Sequence, residues 1–298
     1  MSVAAVPVSW TLKQHWRDYV ILTKCRLVIL AVFATLTGFL MGSPRSIDYA
    51  RLSWTLIGAF LVGAGSNALN QWWEREADAH MERTRHRPLP DGRMTPREAA
   101  AVGIGAVSLG IGCLGWRVNS LAGWLAVATV VSYVGVYTPL KRLSSLCTLV
   151  GAVPGALPPV IGWVAARGSL SVEAWVLFGI LFLWQLPHFL ALAWVHRAEY
   201  ANAGFRMLPL GDPDGLATAR QMLVYGFALL PTSLLPTIIG AAGRWYFVGA
   251  LLVGLWFVRA TIAAARTRSD TVTQRLFYAS LGYLPMLMTL MVLDKVPV

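Results

Sequence analysis

The chain contains about nine apolar segments that are each long enough to cross a lipid bilayer. They lie near residues 22–42, 53–73, 98–116, 121–138, 147–166, 172–194, 219–240, 244–265 and 275–293. A helical span needs about 20 predominantly apolar residues. Because lipid offers the backbone no hydrogen-bond partner, such segments must pair their backbone groups internally, as helices do. The sequence therefore predicts an all-α, polytopic membrane bundle of about nine transmembrane helices.

The composition favours a membrane protein over a soluble one. Only 13% of the 298 residues are charged and 56% are hydrophobic, whereas about a quarter of a typical soluble protein is charged. The basic excess, 25 Lys and Arg against 14 Asp and Glu, could suggest a nucleic-acid partner. These charges lie in loops between apolar segments, so we expect no nucleic acid and interpret the excess as the signal that orients the spans.

The distribution of Lys and Arg predicts the orientation of the spans. The poorer side carries six of them: Arg45, Arg51, Arg117, Arg167, Arg244 and Lys295. The other side carries the remaining 19 of the 25. Loops rich in Lys and Arg stay in the cytoplasm. We therefore predict a cytoplasmic N-terminus and an external C-terminus.

No soluble domain or long linker interrupts the spans. We predict one membrane-embedded domain over residues 1–298, with residues 1–20 as a cytoplasmic tail and no removable secretory signal. Cys25, Cys113 and Cys147 are scattered without a CxxC pair. Neither a zinc site nor a disulfide framework is therefore indicated.

The most polar stretch is NALNQWWEREADAHMERTRHRPLPDGRMTPR, residues 67–97, at the end of the second apolar segment. On a helix, four of its residues share one stripe, with Asn70 at the edge: Asn67, Gln71, Glu74 and Asp78. Three arginines follow: Arg83, Arg85 and Arg87. Carboxylates one turn apart suit Mg²⁺, and arginines suit phosphate. This pattern predicts a Mg²⁺–diphosphate site; the alternative is a solvated helix end with ion pairs between neighbouring turns.

Span six ends with a second polar cluster, FLWQLPHFLALAWVHRAEY, residues 182–200. Gln185 and His188 lie one turn apart beside Trp184 in an apolar helix, which favours a ligand or acceptor site. The alternative is a histidine hydrogen-bonded to a neighbouring helix. Arg197 and Glu199 follow four spans after the first cluster, and an even number of spans preserves orientation. We therefore expect both clusters to face the cytoplasmic side of a pseudo-symmetric bundle, with a site between them.

Two further features lie between spans four and five and within span five. Lys141 and Arg142 either bind an anionic head group or are ordinary inner-side charges. Pro154, Pro158 and Pro159 should break or kink span five and open backbone carbonyls that must be satisfied inside the protein. The segment then either forms a cavity wall or contains a purely structural kink.

Several short sequence motifs resemble those of a known family. The stretch from Asn67 to Arg93 resembles the first acidic motif of the intramembrane aromatic prenyltransferase (UbiA-type) superfamily. Five more are similar to the branch of that superfamily that farnesylates haem: DYVILTKCR at 18–26, YTPLKR at 137–142, GALPPVIGW at 155–163, WQLPHFLALA at 184–193 and EYANAGFRMLP at 199–209. The resemblance runs from about Asp18 to the last span, with Glu74 and Glu199 where the family usually has Asp.

The resemblance implies a nine-helix bundle in which two acidic motifs hold Mg²⁺ and an isoprenoid diphosphate. It assigns catalysis to Asn70, Glu74, Asp78, Lys141 and Glu199. It assigns metal ligation to Asn70, Glu74, Asp78 and Glu199. It assigns diphosphate binding to Arg83, Arg87, Lys141, Arg142 and Arg197. With haem as the acceptor, Trp184, Gln185 and His188 become its expected binding residues.

The activity that the resemblance implies is farnesyl transfer from farnesyl diphosphate to the vinyl group of haem b. The product, haem O, is an intermediate on the way to haem A for terminal oxidases, so haem A synthase is an expected partner. The expected location is the inner membrane of a bacterium, with the mitochondrial inner membrane as the alternative. A quinone-precursor acceptor and a haem carrier or transporter are the competing hypotheses; a transporter needs no Mg²⁺–phosphate cluster.

Overall fold

The computed structural model describes residues 12–296, and within them the fold is all-helical apart from one isolated bridge between Ala242 and Lys295. The helices are α1 (Leu12–Leu22), α2 (Cys25–Gly42), α3 (Tyr49–Asp78), α4 (Pro96–Gly112), α5 (Ser120–Val130), α6 (Thr138–Leu140), α7 (Cys147–Arg167), α8 (Val172–Val195), α9 (Arg197–Asn202), α10 (Leu216–Ile238), α11 (Arg244–Thr267) and α12 (Asp270–Leu293). Two π-helical segments, Cys113–Val118 and Val131–Tyr137, continue α4 and α5.

Nine stretches of these described residues are long and apolar enough to cross a membrane. The prediction of an all-α bundle with about nine spans is therefore confirmed, and the chain is an integral membrane protein. The second span is longer than its apolar core, because α3 continues to Asp78. The acidic stripe predicted beyond residue 73 thus lies on the span itself, where the helix fixes its spacing.

Helices α7 and α8 are the most enclosed of the described spans, with 67% and 61% of the residues in their apolar stretches buried. Helix α2 packs so closely against α7 that their backbones are in contact at two glycines. A Cβ on Gly38 would overlap the Pro159 carbonyl, and one on Gly162 would overlap the Thr35 carbonyl. The prolines of α7 do not break it: the helix is continuous from Cys147 to Arg167. A break is therefore excluded, because an enclosed helix can have its freed carbonyls accommodated by its neighbours, and a kink at these prolines stays a prediction.

Part of the expected N-terminal tail is helical. Residues 1–11 lie outside the described residues, but α1 packs against the connection that follows α3 and against the first turn of α4. Arg93 pairs with Asp18 at 3.2 Å, and the Tyr19 hydroxyl donates to Glu98 at 2.6 Å. After Thr23, the left-handed backbone of Lys24 (φ 48°, ψ 45°) turns the chain into α2. Residues 12–20 are therefore part of the fold.

The connections after α3 and after α8 meet at one end of the bundle. The backbone N–H of Arg83 donates to Glu199 Oε2 at 3.3 Å, and the N–H of Arg206 donates to the Lys141 carbonyl at 2.7 Å. Helix α8 ends at Val195, so Glu199 lies on the separate short helix α9. Three inter-span connections thus converge where the predicted site residues lie.

Candidate functional site

The stripe predicted on α3 divides into a structural part and a site part. Gln71 donates through Nε2 to the carbonyls of Ile21 and Leu22, at 2.9 and 2.6 Å, and so ties α3 to α1. Asn67 donates to the Gly63 carbonyl one turn back. The amide of Gln71 therefore serves the fold, because its N–H groups are committed to the end of α1.

Asn70, Glu74 and Asp78 form a row of oxygen-bearing side chains, one turn apart, on the buried face of α3. Their exposed fractions are 1%, 6% and 1%. A buried carboxylate is costly unless it is paired, and each member of the row contacts a cation. Lys24 Nζ lies 3.0 Å from Asn70 Oδ1, Lys141 Nζ lies 2.7 Å from Glu74 Oε1, and Arg87 Nη1 lies 2.6 Å from Asp78 Oδ2. The three cations outnumber the two carboxylates, so the row together with its cationic partners suits an anion.

Lys24 joins the row through the turn between α1 and α2. Burial, together with the nearby Arg87, lowers the pKa of Lys24 to about 7, against the opposing effect of Glu74. Its hydrogen bond goes to a neutral amide. Lys24 is thus the cation of the three whose charge is least compensated. An incoming anion would compensate this buried positive charge.

Lys141 is enclosed by aromatic rings as well as by its carboxylate partner. Its Nζ lies 4.6 Å from the centroid of the Tyr137 ring and 5.6 Å from that of Phe205. Burial by itself would lower the pKa of Lys141, but Glu74, Tyr137 and Tyr133 outweigh it and hold that pKa well above the usual lysine value. Lys141 therefore remains a cation inside the site.

The second π segment brings further polar groups to the row. Thr138 Oγ1 accepts from Asn70 Nδ2 at 3.2 Å and donates to the Tyr133 carbonyl at 2.9 Å. The Tyr133 hydroxyl donates to Asn67 Oδ1 at 3.3 Å, and its ring stacks on Tyr137 with centroids 5.5 Å apart. The fourth span thus supplies both a hydroxyl and an aromatic wall to the site.

Glu199 contacts the connections at this end of the bundle, and within residues 12–296 it joins no carboxylate cluster. Its Oε2 accepts from the Arg83 backbone, and its Oε1 lies 3.1 Å from His196 Nδ1. Burial tends to raise the pKa of Glu199, but these hydrogen bonds outweigh burial and lower that pKa. Glu199 is therefore ionised and links the connection after α3 to the connection after α8.

The remaining predicted diphosphate residues differ in their contacts. Arg197 donates to Asp270 Oδ1 at 2.8 Å and to the Trp194 carbonyl at 2.7 Å, so it pairs with the start of α12. The side chains of Arg83 and Arg142 are exposed. Arg87 and Lys141 are the predicted diphosphate residues that the structure brings to the row.

The predicted haem residues lie on α8, and they face two different neighbours. His188 Nδ1 lies 2.7 Å from Ser280 Oγ of α12, and its ring stacks on Trp184 and Phe277 with centroids 5.0 and 4.7 Å apart. Gln185 instead donates within α8 and towards α7. His188 and Trp184 therefore share one aromatic surface between α8 and α12, from which Gln185 is turned away.

The row can be tested for its fit to a divalent cation. Among the residues that the structure describes, Asp78 Oδ1 is buried without a hydrogen-bond partner, while Oδ2 is held by Arg87. Across residues 12–296, no three His, Cys, Asp or Glu side chains converge into a metal-binding group. Mg²⁺ commonly takes one or two protein carboxylates and completes its shell with water and substrate phosphates. Asn70, Glu74 and Asp78 fit Mg²⁺ bound in that way.

Lys24, Thr138 and Tyr137 were missed as site residues by the sequence reasoning. Lys24 counts there only as an inner-side charge, and Thr138 and Tyr137 lie in an apolar segment. The one available signal is that all three fall within the strings DYVILTKCR and YTPLKR that carry the resemblance. Their convergence depends on the turn at Lys24 and on the π segment, which periodicity does not reveal.

The comparisons agree with this architecture and chemistry. The chain matches the UbiA prenyltransferase family over residues 31–288. It is 46% identical, over 288 residues covering 94% of this chain and 99% of the relative, to the protoheme IX farnesyltransferase of Solibacter usitatus. Among solved structures, a digeranylgeranylglyceryl phosphate synthase is similar with a TM-score of 0.79 at 18% identity, covering 94% of this chain and 98% of that one. A UbiA homologue from Archaeoglobus fulgidus bound to GPP and Mg²⁺ has a TM-score of 0.63 at 13% identity, covering 92% and 99%. At these identities, the two solved structures establish the fold.

Proposed function

The chain belongs to the UbiA prenyltransferase family, in the group of the protoheme IX farnesyltransferases, and from this membership we propose that it transfers a farnesyl group from farnesyl diphosphate to a vinyl group of haem b, giving haem O. The observation that carries the chemistry is the row of Asn70, Glu74 and Asp78 with its three cationic partners. The name of the 46% identical relative supports haem over a quinone precursor as the acceptor.

Lys24, Arg87 and Lys141 would bind the diphosphate and stabilise the charge that develops on it as the C–O bond to the farnesyl group breaks. Such preorganised electrostatic stabilisation is usually the largest contribution to catalysis. Mg²⁺, held by Asn70, Glu74 and Asp78, would add Lewis-acid stabilisation of the same leaving group. Glu199, fixed by Arg83 and His196, would hold the two connections closed over the diphosphate.

The apolar interior would enclose the farnesyl chain and keep water from the allylic cation. The haem vinyl group would then attack that cation, and water would add to the cation formed on the porphyrin side and release one proton to the solvent, leaving a hydroxyl group. Trp184 and His188 would contact the haem from the surface between α8 and α12. No protein nucleophile is required.

The same proposal includes the membrane location and the orientation of the chain. The connections that carry the site would face the cytoplasm of a bacterium, in its inner membrane, where farnesyl diphosphate is available to the inner end of the bundle. The N-terminus would then be cytoplasmic and the C-terminus external. Haem A synthase, which would consume haem O, is the proposed partner.

The test is to incubate the purified protein with haem b, farnesyl diphosphate and Mg²⁺ and to look for haem O by mass spectrometry. Asp78→Asn should lower turnover by roughly a hundredfold or more, the size of the loss when one electrostatic group is removed from such a site. Glu76→Gln is the matched control, since Glu76 is exposed on the same helix and pairs with its neighbour Arg75. Near-normal turnover of Asp78→Asn at saturating Mg²⁺ would contradict the metal site.

A further inference from the structure

The amide of Asn70 has two chemically different ends, and its environment distinguishes them. Its oxygen, Oδ1, faces the Lys24 ammonium, and its nitrogen, Nδ2, faces the Thr138 hydroxyl. Oxygen is a ligand for Mg²⁺, whereas the amide N–H₂ group is a hydrogen-bond donor. Rotation of the amide by half a turn would therefore remove a ligand from the row.

The direction of each hydrogen bond around Thr138 is fixed. Thr138 Oγ1 donates its one proton to the Tyr133 carbonyl at 2.9 Å, so towards Asn70 it can only accept. It accepts from Asn70 Nδ2 at 3.2 Å, and Thr138 is only 2% exposed. With its proton committed, the hydroxyl favours the nitrogen end of Asn70 over the oxygen end.

Lys24 donates to the oxygen end of the Asn70 amide, and an incoming anion would compete for this ammonium. An ammonium binds an anionic diphosphate more strongly than a neutral amide, because hydrogen bonds between ionised partners are the stronger ones. If Lys24 binds the diphosphate instead, the hydrogen bond from Asn70 Nδ2 to Thr138 would still hold the amide.

We propose that Thr138 is a positioning residue of the metal site, whose hydroxyl keeps the Asn70 oxygen directed at the Mg²⁺ while the diphosphate is bound. This inference rests on the proposed function, because it requires a metal at the row on α3. It assigns a role to the π segment as well. The N–H of Thr138 bonds to the Tyr133 carbonyl five residues back, which places the Thr138 hydroxyl beside Asn70.

The test is Mn²⁺ binding to the full-length protein in detergent, measured by electron paramagnetic resonance in the presence of inorganic pyrophosphate. Thr138→Val should weaken Mn²⁺ binding by about fivefold to tenfold, the range that one hydrogen bond supplies. Thr138→Ser, which keeps the hydroxyl, should bind Mn²⁺ within about twofold of the wild type. Thr138→Ala provides a second variant without the hydroxyl if Thr138→Val does not fold.

A double-mutant cycle with Asn70→Asp separates positioning from general support of the fold. A carboxylate presents oxygen in either orientation, so Thr138→Val should cost little in the Asn70→Asp background. A loss of Mn²⁺ affinity that persists unchanged in that background would overturn the proposal, as would unaltered Mn²⁺ binding in both variants that lack the hydroxyl. Failure of the wild type to bind Mn²⁺ with pyrophosphate would instead refute the metal site of the proposed function.

Discussion

At the residue scale, Lys24 combines an unusual backbone with an incompletely compensated charge. A non-glycine residue in the left-handed region is uncommon, and such strain concentrates at functional sites. At Lys24 the φ is 48°, and its side chain contacts Asn70. The left-handed turn therefore determines where the ammonium lies. The turn contains no glycine from which it could be predicted.

We expect Lys24→Met to weaken pyrophosphate binding by about tenfold or more, because hydrogen bonds to charged groups are worth more than neutral ones. Isothermal titration with pyrophosphate and Mn²⁺ measures this affinity, and Lys24→Arg should recover part of it. Arg26→Met is the matched control, since Arg26 is exposed two residues away. Equal pyrophosphate affinities of Lys24→Met and Arg26→Met would exclude the role assigned to Lys24.

His188 tests the acceptor half of the site. Because its ring stacks on Trp184 and Phe277 between α8 and α12, whereas the proposed diphosphate cations contact the row on α3, His188→Ala should weaken haem b binding and leave pyrophosphate affinity little changed. Spectroscopic titration with haem b and calorimetry with pyrophosphate measure the two affinities separately. A histidine that only supports the fold through Ser280 predicts equal loss of both affinities, and unaltered haem binding would also defeat the assignment.

At the element scale, the π segment Val131–Tyr137 determines which side chains of the fourth span reach the row. One residue more or less within a helix rotates everything beyond it by about 100°, since an α-helix has 3.6 residues per turn. Thr138 and Lys141 both lie beyond this segment and both contact α3 residues. The register of the π segment is therefore part of the site.

Deletion of Gly135 should return the fourth span towards α-helical register and abolish haem O formation, because Thr138 and Lys141 would turn away from α3. Gly135→Ala is the control, as a Cβ there meets no neighbouring atom of residues 12–296 within 4 Å and the backbone is helical. Thermal unfolding should show both variants folded, with product measured by mass spectrometry. Full activity of the deletion variant would show that the register does not matter.

At the scale of the whole molecule, the connections that carry the site lie at one end, and a different set of contacts closes the other end. There the Lys295 ammonium donates to the carbonyls of Leu40 and Ser43, at the end of α2. Asp294 accepts from the Tyr246 N–H at 2.7 Å. The last described residues thus join the first span to the last at the end remote from the site.

The orientation of these two ends is predicted by the charge distribution. Single cysteines replacing Arg85 and Arg206 in a cysteine-free background should react with a membrane-impermeant reagent only after the membrane is opened. A cysteine replacing Arg45 should react from outside, and all three positions are exposed. Labelling of positions 85 and 206 from opposite sides would contradict a shared site between the two connections.

The amino-acid sequence by itself determined the class of the fold and the number of spans. This was possible because the cost of burying unpaired backbone groups in lipid admits few structures for long apolar segments. It also identified Asn70, Glu74 and Asp78 as neighbours, because helical periodicity places residues four apart on one face.

Only the tertiary structure decided which cations meet that row. Lys24, Arg87 and Lys141 come from three connections, and their convergence depends on a left-handed turn, a helix extended to Asp78 and a π segment. Arg197, although close to Glu199 in sequence, is drawn to Asp270 at the start of α12. Local pattern fixes which residues share a face of one helix, but packing between helices fixes which charges become partners.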